Sequence, residues 1–103
     1  MAEMSEIRAL AERIAGEFKP ERIILFGSHA QGTAGPDSDV DMLVVMPFKG
    51  KTWRMATEIR RRTRPGFALD LLVRTPEQLK QSLNAGDAFM YGIVREGKVL
   101  YEA

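Results

Sequence analysis

Three short apolar runs limit what this chain can fold into: RIILF at 22–26, DVDMLVVM at 39–46 and FALDLLV at 67–73. Each is too short for a buried helix and rich in branched side chains that suit a pleated surface. The first stops at Gly27 and the second at Pro47. An uninterrupted apolar run such as RIILF reads as a strand covered on both faces. Between the runs the period becomes helical. Over residues 3–18, Ile7, Leu10, Ala11, Ile14, Ala15 and Phe18 recur at spacings of three and four, forming one apolar stripe. Pro20 closes this helix, because the residue before a proline is pushed out of the helical region.

Residues 28–38, SHAQGTAGPDS, read as a loop with a helical turn at its start. Residues 51–63 read as a helix closed by Pro65 and Gly66. Thr75-Pro76-Glu77-Gln78 places a threonine cap, a proline at the first helical position and a glutamine three residues after the cap. That capping box starts a helix running to about Asn84. Residues 87–95 read as a further helical turn or two, and 98–101 as a terminal strand. The order predicts a small α/β (α+β) domain with a mixed β-sheet and flanking helices.

Composition narrows the function. The 103 residues fit one domain, 1–103, with no internal repeat or linker. With 45% hydrophobic and 28% charged residues, a soluble globular chain is expected rather than a disordered one. The absence of cysteine excludes disulfides, iron–sulfur clusters and thiolate zinc sites, and one histidine cannot build an imidazole metal cage. No apolar run approaches the roughly 20 residues of a membrane helix. The start, MAEMSEIRALAERIAGEF, alternates charge with apolar residues, unlike a signal peptide, so a cytoplasmic location is expected. Residues 49–64 carry seven bases and one acid, on a body that is otherwise mildly acidic. This basic segment reads either as a surface for phosphates or an acidic partner, or as a solvated helix face.

Three features carry chemistry. Gly27-Ser28 directly follows a strand; glycine admits close backbone approach, and successive N–H groups in such a turn form an anion-binding concavity, although a plain turn would use the same residues. Asp39 and Asp41 are two apart at the start of a strand, so their carboxylates share a face and repel. A hard cation such as Mg²⁺ or Mn²⁺ would relieve that repulsion, and so would a solvated strand end. Asp70 interrupts an apolar strand whose face is not evidently solvated, and burying a carboxylate costs several kcal/mol unless it is paired. An edge strand facing water is the alternative. If the second and third strands are neighbours, all three carboxylates gather on one rim beside Gly27-Ser28.

The stretch from Leu25 to Asp41, LFGSHAQGTAGPDSDVD, resembles the signature of the DNA polymerase β-like nucleotidyltransferase superfamily: Gly-Ser, a loop, Asp-x-Asp, and a third Asp on a later strand. The short chain resembles its minimal nucleotidyltransferase (MNT) branch, whose members serve as antitoxins to HEPN ribonuclease toxins. The resemblance extends to the end, where VREGKVLYE at 94–102 is also typical. It implies that Gly27 and Ser28 hold the terminal phosphates of a nucleoside triphosphate, most simply ATP. It implies that Asp39 and Asp41 bind two Mg²⁺ or Mn²⁺ ions. Asp70 would bind the ion that activates an attacking hydroxyl and accept its proton. AMP would be transferred and pyrophosphate would leave. With no second domain to grip an acceptor, the acceptor would be a partner chain, a HEPN toxin.

The family often carries Arg where this chain has His29 or Gln31, which leaves extra phosphate contacts open. His29 itself reads as a loop histidine facing solvent. Trp53 reads as core or interface rather than a base-stacking platform. Met42 and Met46 read as packing, and Gly86 and Gly97 as loop or cap positions. A homodimer is expected from the small size and apolar helix. Two other functions compete: a non-catalytic antitoxin that neutralises its partner by contact, and an RNA-binding accessory protein using the basic helix.

Overall fold

The computed structural model describes residues 2–103. Helix α1 spans Met4–Phe18, strand β1 Arg22–Phe26, the single turn α2 Ser28–Gln31 and strand β2 Val40–Val45. Helix α3 spans Thr52–Thr63, strand β3 Leu69–Arg74, helix α4 Pro76–Asn84, helix α5 Ala88–Glu96 and strand β4 Lys98–Glu102. The strands form one mixed sheet in the order β3-β2-β1-β4. β1 pairs antiparallel with β2 and with β4, while β2 and β3 are parallel. A parallel pair needs a crossover connection, and α3 supplies it. The expected α/β architecture is the one observed.

Local chemistry accounts for most boundaries. Thr75 Oγ1 accepts the Gln78 N–H at 3.0 Å and Gln78 Oε1 accepts the Thr75 N–H at 3.0 Å, completing the capping box. Asp87 caps α5 through the Met90 N–H at 3.0 Å, and α5 then runs nine residues, over almost the stretch expected. Lys19, ahead of Pro20, leaves the right-handed helical region as expected, but for the left-handed one at φ 50°, where its N–H closes α1 on the Ala15 carbonyl. Strands β2 and β3 are shorter at their N-terminal ends than the apolar runs suggest: Asp39 precedes β2, and Phe67 and Ala68 precede β3.

Alternation along the strands sorts the core into two layers. Ile23, Leu25, Val40, Met42, Val44, Leu71 and Val73 pack against Ile7, Leu10 and Ile14 of α1 and Ala56 and Ile59 of α3. Ile24, Leu43 and Val45 pack against Leu79 of α4 and Met90 and Ile93 of α5. Each fully buried aliphatic side chain contributes about 1.5–3 kcal/mol. Met42 and Met46 are buried packing residues, as expected. Gly97 ends α5 where any side chain would collide with the Ile93 carbonyl and Ile24, so glycine lets this helix lie directly on β1. Asp41 shares the face of Leu43, and Asp70 that of Leu72. Both carboxylates thus lie on the α4–α5 side of the sheet, at the end where β1 finishes and β2 and β3 begin.

Candidate active site

β1 ends at Phe26, which lies opposite Asp41 in the antiparallel pair. The next residue, Gly27, adopts φ 75° and ψ −156°, a region essentially closed to side chains. A Cβ there would also fall inside the envelope of Asp41 Oδ2. Two requirements, one conformational and one steric, therefore demand glycine. The Gly27 carbonyl accepts the N–H groups of Ala30 and Gln31, each at 3.1 Å, which winds Ser28 into the start of α2.

Asp41 and Asp70 are Cα partners in the parallel β2–β3 pair, so the third carboxylate stands beside the second. Neighbouring strands lie about 4.8 Å apart, and like charges facing each other at that range repel. Asp41 registers the result. Partial burial, then Asp70, then Asp39 raise its pKa above the usual carboxylate value, while the nearby His29 ring lowers it. Asp39 and Asp70 are exposed. The covered surroundings expected for Asp70 are therefore corrected: β3 is an edge strand, and neither α4 nor α5 reaches over its N-terminal end.

His29 is also corrected. Its side chain is half-buried rather than turned out to solvent. Nδ1 lies 3.1 Å from the Asp39 carbonyl oxygen, and Nε2 is buried with no hydrogen-bond partner. Trp53 is not core: it is 62% exposed, with the Arg54 guanidinium 5.3 Å from the ring centroid. Part of the basic segment is tied down locally. Arg62 pairs with Glu17 at 2.6 Å, Arg61 with Glu58, and Arg60 donates to the Leu69 carbonyl at 2.6 Å, next to Asp70.

Two clefts flank the carboxylates, and neither is legible in the sequence. One, of about 440 Å³, is lined by Glu6, Asp37, Asp39, Val40 and Phe67. The other, of about 360 Å³, lies between the Gly27 turn and α5, lined by Phe26, Gln31, Phe89, Ile93 and Gly97. Phe89 meets Phe26 edge-on, with ring centroids 5.9 Å apart. Its one visible signal is a large aromatic left 60% exposed on a short helix.

The donor set can be tested against a divalent cation. Among the described residues, no three acidic or imidazole side chains close around a single metal position. The three aspartates form an open rim instead. Mg²⁺ fits such a rim, because it retains several waters and is held by one or two carboxylates plus substrate phosphates rather than by a complete protein cage. The raised pKa of Asp41 reflects partial burial first, and the crowding of Asp70 and Asp39 after it.

Residues 7–99 match the nucleotidyltransferase domain family. The chain belongs to that family. A Methanocaldococcus jannaschii protein, described provisionally as a protein adenylyltransferase, is 29% identical over 96 residues, covering 92% of this chain and 90% of the relative. Among solved structures, a provisionally assigned nucleotidyltransferase from Sulfolobus solfataricus superposes with a TM-score of 0.66 at 20% identity, covering 96% of this chain and 79% of that one. A toxin–antitoxin structure with AMP-PNP superposes with a TM-score of 0.58 at 22% identity, covering 95% and 73%. At these identities the structural likenesses establish the nucleotidyltransferase fold. Among the described residues, no helix is long and apolar enough to cross a membrane.

Proposed function

We propose that this nucleotidyltransferase moves AMP from ATP to a hydroxyl on a partner protein, and that the partner is a toxin of the HEPN class which the modification silences. The observation that carries the reading is the register of Asp41 against Asp70 beside a turn that only glycine can form. That register sets two carboxylates side by side, with Asp39 two residues away, and such a self-repelling group suits phosphoryl chemistry with bound metal better than a structural purpose. The adenylyltransferase description of the archaeal relative and the toxin–antitoxin likeness support the substrate and the partner.

In this reading Gly27 and Ser28 seat the terminal phosphates. Asp39 and Asp41 would hold two Mg²⁺ or Mn²⁺ ions, with Asp70 on the ion nearer the acceptor. Bound there, the metal supplies charge neutralisation at the phosphates and a lowered pKa for the attacking hydroxyl. The acceptor oxygen forms a bond to the α-phosphorus as the bond from that phosphorus to pyrophosphate breaks. Asp70, whose exposure leaves it free to meet an acceptor, would take the proton. Openness of the rim suits an acceptor presented by another chain.

The test incubates the protein with α-labelled ATP, Mg²⁺ and extract of the source cells, then separates protein from RNA. Label on a protein band that disappears with Asp39→Asn/Asp41→Asn is the expected result. Label on RNA would replace the protein acceptor with a nucleic-acid one. No label with any nucleotide or metal would favour neutralisation by contact alone.

A further inference from the structure

The phosphate turn and the Asp39–Asp41 pair are joined by residues 28–38, rich in glycine and small residues. Bonds within this loop are short-range. Thr33 N–H reaches the Ser28 carbonyl at 3.0 Å, and Gly35 N–H reaches Ser38 Oγ at 2.9 Å. Each organises one half of the loop, and neither holds the halves together. The contact that spans them is His29 Nδ1 to the Asp39 carbonyl, ten residues apart at 3.1 Å.

That contact assigns the ring. A carbonyl oxygen can only accept, so Nδ1 carries the hydrogen and donates. The other nitrogen is then left buried and without a partner. Leaving a buried polar atom unsatisfied is costly, and a loop histidine free to turn outward would avoid that cost. The ring is held by its Nδ1 side at the expense of its Nε2 side. Its site is also the place where a shift matters most: one residue from Ser28 and against the backbone of Asp39.

We propose that His29 is a positioning residue: its Nδ1–H, seated on the Asp39 carbonyl, sets the separation between the Ser28 turn and Asp39, beyond the β1–β2 pairing that already holds Asp41 opposite Phe26. The inference rests on the transferase reading of the site. It gives His29 no contact with substrate and no proton to move. Groups that orient metal ligands in this way typically change metal affinity 10–100-fold when removed. The same range is expected here for the joint binding of Mg²⁺ and nucleotide.

The experiment compares untagged wild type with His29→Ala, His29→Asn and His29→Gln. Asn places an amide N–H near the position of Nδ1, whereas Gln places it near that of Nε2. Because the chain has one histidine, its ¹⁵N ring signals need no assignment. Nδ1 should carry the proton, and a bare Nδ1 overturns the proposal. Calorimetry with Mg²⁺ and α,β-methylene-ATP, which cannot react at the α-phosphorus, should show His29→Ala binding about 10–100-fold more weakly. His29→Asn should recover most of that loss and His29→Gln should not, at matched melting temperatures. Wild-type affinity in His29→Ala, or rescue by Gln equal to rescue by Asn, overturns it. If wild type binds the analogue yet transfers no label from ATP, the transferase reading fails while His29 keeps its role. If wild type binds no nucleotide, both fall.

Discussion

Replacing Gly27 by alanine tests the geometry of the site most directly. At φ 75° and ψ −156° a residue with a Cβ sits in a region almost reserved for glycine. That costs about 1–3 kcal/mol. The new methyl group also meets Asp41 Oδ2, and turning the aspartate off its rotamer adds about 0.5–1.5 kcal/mol. Together the substitution should cost about 1.5–4.5 kcal/mol, less than the ~5–15 kcal/mol stability of an ordinary domain, so the variant should still fold. At ~4–8 °C per kcal/mol for a chain of this size, the midpoint should fall by roughly 6–36 °C. Gly32 provides the control. It also has positive φ, at 78°, but a Cβ there meets nothing within 4 Å. Gly32→Ala should therefore cost only the left-handed backbone penalty of about 1–2 kcal/mol and leave transfer intact. Thermal melts and label transfer from α-labelled ATP, measured below both midpoints, compare the pair. Gly27→Ala should lose transfer by about 100-fold or more, because the clash displaces a carboxylate by a good fraction of an ångström. If it melts with Gly32→Ala and transfers like wild type, the close approach of Gly27 to Asp41 does not organise the site and the argument is wrong.

Other substitutions separate stability from activity differently. Asp41→Asn should abolish transfer yet raise the melting temperature of the metal-free protein at neutral pH. The folded state raises the Asp41 pKa, so wild type enjoys its full contribution only below the unfolded value and loses it as pH rises through the folded one; the Asn advantage in melts should vanish in acid. Asp70→Asn, at an exposed position, should change stability by no more than about 0.5 kcal/mol in denaturant titration while reducing transfer at least about 100-fold. Thr75→Ala removes an N-cap far from the rim and should cost about 1 kcal/mol in the same titration, with transfer unchanged.

Much of the fold is legible because its signals are local. The stop at Gly27, the capping box at Thr75 and the stripe on α1 each need only a few neighbouring residues to be recognised, and each element stands where those signals put it. The gathering of Asp41 and Asp70 is legible only as a condition, since it depends on β2 and β3 being neighbours. Parallel pairing through α3 meets that condition. What is not legible depends on which parts of a face are covered. Alternation places Asp70 on the same face as Leu72 but cannot say that α4 and α5 stop short of it. His29 is hidden for a related reason: its environment depends on the path of a loop with no period to read. Trp53 falls on an amphipathic helix, and its 62% exposure follows from where α3 turns relative to β3 and α1.

The edge position of β3 also governs the size of what can reach the rim. Asp41, on the interior strand β2, is half-buried with a strand on each side. Asp70 stands on a ledge, with open space on the flank away from β2. A small molecule gains little from a ledge, which offers few walls to enclose it. A folded macromolecule gains access, because its bulk can hang beyond the margin of the sheet while one protruding side chain reaches in. On the transferase reading, this strand order suits an acceptor that brings its own walls.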